Sequence, residues 1–179
     1  MLKKLNARKL LLRDDVMILI SACLAGENVK YSGGNNAVPW LCQWIEKHRD
    51  QVLLVCPEVM GGLPVPRLPA EIQRRGTDLE DCRVVNKAGE DVTAQFRLGA
   101  EKVLELAKAH HISVAILKGN SPSCGNKEVY DGTFTGTLVP GSGIAASLLI
   151  ANGVMALSEK TVTPEILEKL VKIDDRGEI

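Results

Sequence analysis

A chain of 179 residues, 45% of them hydrophobic, has the size of one domain and enough apolar surface to fold without disulfide or metal staples. Its 22 basic and 22 acidic side chains cancel, which excludes a general electrostatic attraction to nucleic acid or to an anionic membrane. Aromatic residues amount to 3%, too few for the stacking platforms of single-strand binders, and no apolar run reaches the roughly 18 to 20 residues of a membrane helix, so neither a nucleic acid polymer nor a membrane is an expected partner.

Residues 1–16 are basic, and their Leu10-Leu11-Leu12 run is too short for a signal-peptide core and lacks a small-residue cleavage site behind it. They read as a poorly ordered extension of a cytoplasmic protein, followed by one domain over 17–173 and a frayed tail over 174–179. The run Met17-Ile18-Leu19-Ile20-Ser21-Ala22-Cys23 is continuous rather than alternating, the pattern of a strand buried on both faces of a parallel sheet. The long loop behind it, up to Asn36, holds Asn28, Lys30, Tyr31 and Ser32, and long loops at strand ends of α/β folds carry sites. From about Asn36 to Arg49, Ala37, Leu41, Trp44, Ile45 and His48 share a helical stripe; His48 lies where a helix favours a cation, a structural position rather than a metal ligand.

A second buried strand, Val52-Leu53-Leu54-Val55-Cys56, runs into Pro57-Glu58 and a stretch rich in proline and glycine as far as Glu71. Such backbone is irregular but stiff, suited to positioning its charged members Glu58, Arg67 and Glu71. Residues Arg83 to Val92 read as a peripheral hairpin turning at Lys87-Ala88-Gly89. Thr93 is the expected cap of a helix that buries Phe96, Ala100, Val103, Leu104 and Ala107 and ends at His110-His111, whose side chains point about 100° apart and do not share a metal.

The third strand, Val114-Ala115-Ile116-Leu117-Lys118, delivers the loop Gly119-Asn120-Ser121-Pro122-Ser123-Cys124-Gly125. A turn-rich loop over Tyr130 to Gly136 contains Asp131, and Pro140-Gly141-Ser142-Gly143 opens an apolar helix, Ile144 to Ala151, whose glycine-rich start is a candidate anion or ring-carbonyl site. A fourth strand, Val154 to Glu159, and a last helix capped by Thr163, with Pro164 and Glu165 in its first turn, complete the domain. Strands alternating with helices define an α/β fold: a single-domain three-layer sandwich around a mainly parallel, Rossmann-like sheet.

Three of the five cysteines, Cys23, Cys56 and Cys124, follow strand ends, where open α/β sheets place their ligands. Cys42, in a helical pattern, and Cys82, in a polar stretch, read as packed or surface residues. A cytoplasmic chain of this size is not expected to carry a disulfide framework, and none of the three forms a Cys-x-x-Cys pair. Converging thiolates repel one another, so a metal centre is the economical reading; a metal-free cysteine nucleophile and a thiolate-based small-ligand binding module are the alternatives. In a cubane iron-sulfur cluster, three protein ligands leave one iron open to a soft atom such as sulfur.

Taken in order, Ser21-Ala22-Cys23-Leu24, Cys56-Pro57-Glu58, Gly61-Gly62-Leu63-Pro64-Val65-Pro66-Arg67, Pro69-Ala70-Glu71, Ser121-Pro122-Ser123-Cys124-Gly125 and Tyr130-Asp131-Gly132-Thr133-Phe134 resemble the DUF523 family, which includes the thiouracil desulfurases. The resemblance spans about residues 17–159. It implies a 4Fe-4S cluster held by three cysteines, matched here by Cys23, Cys56 and Cys124, and removal of the thiocarbonyl sulfur of 2-thiouracil as sulfide without net redox change. On that reading Glu58, two residues beyond a ligand, is the expected base for an attacking water, and Ser121 and Ser123 hydrogen-bond the substrate or the departing sulfide. Lys118 offsets the cluster's negative charge, and Asn28, Tyr31, Arg67 and Asp131 shape the pocket. The substrate is a small thiolated molecule; a base, a nucleoside or another thioamide presents the same soft sulfur, and the oligomeric state stays open.

Overall fold

The computed structural model of the protein describes residues 16–74 and 81–172. The extension and the tail expected at the two ends lie outside the described residues, apart from Val16. The strands are β1 (Ile18–Ser21), β2 (Val52–Val55), β3 (Ala70–Arg74), β4 (Cys82–Asn86), β5 (Val114–Leu117), β6 (Glu128–Tyr130), β7 (Leu138–Pro140) and β8 (Met155–Ser158). The helices are α1 (Pro39–Lys47), the single turn α2 (Pro57–Met60), α3 (Thr93–Ala109), α4 (Ile144–Ala151) and α5 (Pro164–Lys172). Among the described residues no helix is long and apolar enough to cross a membrane.

Four strands form a parallel sheet in the order β2-β1-β5-β8. Every residue of β1 and β5 is buried, which is why their sequences are apolar apart from Ser21 at the end of β1. The period of two divides each strand between two cores. Ile18, Ile20, Val114 and Ile116 meet Leu41 and Trp44 of α1 and Leu167 of α5 on one face. Leu19, Val55, Ala115 and Leu117 meet Val103 and Ala107 of α3 and Ala146 and Leu149 of α4 on the other. Helices therefore cover both faces, the three-layer α/β sandwich that the strand and helix pattern implies. His48 is structural, as its place in the stripe suggests: it stacks on Trp44 with ring centroids 4.1 Å apart, and its Nε2 lies 3.6 Å from Glu168 of α5, which also accepts a 2.9 Å bond from Trp44 Nε1.

Starting from β1, the chain adds β2 on one side and then crosses to β5 and β8 on the other. The strand order reverses at β1, and the carboxyl ends of the strands open a crevice there.

A side layer departs from the sequence reading. The expected hairpin over Arg83 to Val92 does turn at Asn86–Glu90, where Asn86 Oδ1 accepts the amides of Ala88 and Glu90, but its second arm makes a single bridge, Val85 to Asp91. The full partner of β4 is β3, antiparallel from Ala70↔Asn86 to Arg74↔Cys82. Pro69 is the last residue of that stretch without an N–H, so the chain beyond it is free to pair. The loop from Tyr130 to Gly136 likewise sits inside a small hairpin of β6 and β7. Ile72, Val84, Phe96 and Ile144 make a third core beneath these strands, in which Cys82 is packed. Nor is Thr93 a helix cap: it is the first residue of α3, and its amide and hydroxyl both bind Asp91 Oδ1, at 2.9 and 2.6 Å. Those two bonds, with Arg83 beside them, pull the Asp91 carboxyl down to about 2.

Candidate active site

The three strand-end cysteines reach the crevice by different local devices. After β1 the chain turns at once into a 3₁₀ segment, Ala22–Ala25, closed by Gly26 in the left-handed conformation, and Cys23 stands on that turn. Cys56 directly follows β2 in an extended conformation, and Pro57, which has no N–H to lose, starts α2 behind it. Cys124 is carried by a loop that Ser121 folds: its Oγ accepts the amides of Ser123 and Cys124, both at 3.1 Å. Beneath that loop lies the start of α4, whose amides at Ile144 and Ala146 donate to the carbonyls of Pro122 and Ser123. A Cβ at Gly143 would stand 2.4 Å from the Ser123 carbonyl carbon, so only glycine permits this approach. The expectation of an anion or ring-carbonyl site at this helix start is thereby corrected, because the loop itself uses those donors.

Cys23, Cys56 and Cys124 line one cavity of about 510 Å³, together with Glu58, Arg67, Lys118, Ser121 and Tyr31. Burial pushes all three thiols up, Cys124 the furthest. The Asn36 side chain opposes this at Cys23, the Val59 amide at Cys56 and the Ser21 hydroxyl at Cys124. Cys124 also feels the charges of Cys23, Glu58 and Cys56, so the three thiols behave as one electrostatic group. Lys118 favours negative charge at Cys23, but its Nζ lies 2.6 Å from Glu159, which opposes it.

Glu58 is held from two sides. Arg67 Nε donates to Oε2 at 2.7 Å and Ser123 Oγ to Oε1 at 3.2 Å. The same guanidinium donates to the carbonyls of Pro64 and Val29, which ties the two long loops together. Ser123 is buried and absent from the cavity lining, so its hydroxyl meets Glu58 rather than a ligand. Asn28 and Asp131 are also absent from the lining. Asn28 Oδ1 accepts from Asn35 Nδ2, and Asp131 Oδ1 accepts the amide and hydroxyl of Thr133, so both side chains organise their own loops. Ser21, Asn36, Glu71, Tyr130 and Phe134 belong to the lining without having been singled out as site residues. A signal existed for two of them: Ser21 is the polar residue in an apolar strand, and Glu71 is a charge in the rigid stretch.

The sequence profile of the 2-thiouracil desulfurase family matches residues 18–161. The chain belongs to that family. Two proteins are similar to the chain. The Bacillus subtilis (strain 168) protein YbbK, itself uncharacterised, is 40% identical over 146 residues, covering 80% of this chain and 95% of its own. The solved structure of the 4Fe-4S-dependent thiouracil desulfidase TudS is 41% identical, with a TM-score of 0.75, and the match covers 87% of this chain and 97% of that one.

Proposed function

We propose that the protein is a desulfurase that removes the thiocarbonyl sulfur of 2-thiouracil or a related thiolated nucleobase, releasing sulfide without net redox change, and that Cys23, Cys56 and Cys124 hold the 4Fe-4S cluster it uses. The observation that carries this reading is the meeting of three thiols from adjacent strand ends in one cavity with the Glu58 carboxylate. Family membership, and the cofactor and substrate in the name of TudS, support it.

The donor set fits a cluster. Thiolates of Cys23, Cys56 and Cys124 in one cavity repel one another, and cationic irons among them relieve both that repulsion and the penalty of their burial. A lone ion suits them less: among the described residues no three Cys, His, Asp or Glu side chains converge on one point, as ligands at about 2.3 Å must. A cluster spreads its cysteines over separate irons. A metal-free nucleophile needs surroundings that lower its pKa, whereas burial drives these thiols the other way. The reducing cytoplasm keeps such thiols available.

When bound, the cluster supplies an iron without a cysteine ligand, a soft Lewis acid for a thiocarbonyl sulfur. The chain supplies the rest. Arg67 and Ser123 fix the plane of the Glu58 carboxylate, so that it meets a water in one orientation and takes its proton. As oxygen bonds to the thiocarbonyl carbon, the C–S bond breaks; the proton held by Glu58 and the remaining proton of the water both pass to the sulfur, and the oxygen is left doubly bonded to the carbon. Thiouracil and water thus give uracil and hydrogen sulfide, and no electron is left over. Ser121 shapes the loop that presents Cys124, Lys118 favours negative charge on Cys23, and Tyr31 lines the cavity.

Anaerobic purification with iron and sulfide assays, followed by sulfide release from 2-thiouracil, tests the reading. The expected protein is coloured, with broad absorption near roughly 400 nm, and Glu58→Gln lowers kcat by about 10²- to 10⁴-fold. A colourless preparation, or Cys124→Ala with full activity, overturns it.

A further inference from the structure

The cavity holds a second carboxylate that proton transfer leaves without a task. Glu71 lies in β3, is 8% exposed and lines the cavity. A buried carboxylate is costly unless hydrogen bonds or a cation compensate it. No ion pair reaches Glu71 among the described residues, but Oε2 accepts the amides of Gly132 at 3.0 Å and Phe134 at 2.9 Å. Oε1 has no hydrogen-bond partner among the described residues, in a residue that lines the cavity.

The bonds to Oε2 hold an unusual wall. Phe134 has φ 59, the left-handed region that a bulky residue seldom enters, and it faces the cavity beside Tyr130. The chain has two Phe, two Tyr and two Trp, and three of these six aromatic residues, Tyr31, Tyr130 and Phe134, line this one cavity. Such a concentration in a chain so poor in aromatics points to a flat ring as ligand.

We infer that Glu71 sets the specificity of the site: Oε2 fixes the Phe134 loop as one wall of a slot for a planar heterocycle, and Oε1 accepts a ring N–H of a cyclic thioamide. This rests on the desulfurase reading. In 2-thiouracil both ring N–H groups flank the thiocarbonyl, so a carboxylate that takes one of them also orients the sulfur. The slot selects rings that carry this N–H and rejects those alkylated there.

Wild type, Glu71→Gln and Phe134→Leu, each loaded with cluster anaerobically and checked for iron content and circular dichroism, are compared for sulfide release from 2-thiouracil and from its 1-methyl and 3-methyl derivatives. Calorimetric titration with uracil reads binding independently of turnover. In wild type, kcat/KM for one of the two methyl isomers falls about 10- to 100-fold below that for 2-thiouracil, the scale of a hydrogen bond to a charged acceptor. In Glu71→Gln that preference shrinks to less than about threefold, uracil binding weakens about tenfold or more, and the loss of 2-thiouracil turnover lies more in KM than in kcat. Phe134→Leu weakens uracil binding. Wild type that turns over both methyl isomers as well as 2-thiouracil, or Glu71→Gln that keeps wild-type discrimination and binding, overturns the inference. If Glu71→Gln does not fold, the wild-type isomer comparison and Phe134→Leu decide. Wild type that releases no sulfide from any thiolated ring counts against the desulfurase reading, and the uracil titrations then decide the role of Glu71 alone.

Discussion

The ion pair between Glu58 and Arg67 is the feature whose removal the structure makes most quantitative. Side-chain exposure is 16% for Glu58 and 7% for Arg67, and the guanidinium makes three bonds, to Glu58 at 2.7 Å, to the Val29 carbonyl at 3.0 Å and to the Pro64 carbonyl at 3.1 Å. Arg67→Met keeps much of the apolar stem and removes every donor. Taking one partner from a buried pair costs about 3–5 kcal/mol, and the lower end applies because Glu58 keeps the Ser123 hydroxyl. At about 2–4 °C per kcal/mol for a chain of this size, a loss of about 3 kcal/mol lowers Tm by about 6–12 °C. Urea unfolding of the iron-free, reduced protein, followed by circular dichroism, measures the loss for Arg67→Met, for Glu58→Gln and for the double variant. The double variant is expected to be less unstable than the sum of the singles, because neutralising Glu58 removes the charge that Arg67→Met strands. A loss under about 1 kcal/mol with no coupling would show the pair to be worth no more than an ordinary surface pair and would refute the argument.

Ser123→Ala frees Glu58 Oε1 and is expected to lower kcat about tenfold with KM nearly unchanged, read from sulfide-release kinetics; a rise in KM alone would place Ser123 against the substrate instead. A Cβ at Gly99 would stand 1.9 Å from the Pro57 carbonyl oxygen, so Gly99→Ala forces α2 off α3, costs about 1–3 kcal/mol and lowers the iron retained on desalting; wild-type stability and iron content would refute this contact. Asp91, held near 2 against an unfolded value of about 4, binds fewer protons folded than unfolded, so its contribution is full above about pH 4 and fades as the pH falls through about 2. Asp91→Asn is therefore less stable than wild type at neutral pH, and urea midpoints measured from pH 7 downward converge in acid; a constant gap would refute the assignment.

The central sheet was legible because burial on both faces leaves a continuous apolar run, as in residues 18–20 and Val114–Leu117, and two further mainly apolar strand runs separated from these by helical patterns admit few other folds. The side layer was not. Ala70–Arg74 pairs with Cys82–Asn86 across residues that carry no strand signal of their own, and its first residue directly follows Pro69, so the stretch reads as part of a stiff loop. Of the two expected helix caps, Thr163 holds, its Oγ1 accepting the Ile166 amide at 3.3 Å, whereas Thr93 does not: it has the right chemistry for a cap, but Asp91, two residues earlier, has it too, and the third core sets where α3 starts.

In the site, whatever was local could be read and whatever was relational could not. Cys23, Cys56 and Glu58 sit within a few residues of a strand end, so the topology alone brings them to the crevice. The partner of Glu58 in the Cys124 loop lies 65 residues away, and Ser123 looks like a ligand-facing hydroxyl until that contact turns it inward. Asn28 and Asp131 mislead in the opposite sense, since polar residues in site loops as often build the loop as meet the ligand. Glu71 shows the same limit from the other side. A charge in a stiff stretch is visible in sequence, yet its meaning depends on Phe134, 63 residues on, whose left-handed backbone carries no sequence mark. The carboxylate proposed to move a proton and the one proposed to orient the ring are therefore told apart by their partners: Glu58 is bound by a cation and a hydroxyl, and Glu71 by two amides on one oxygen.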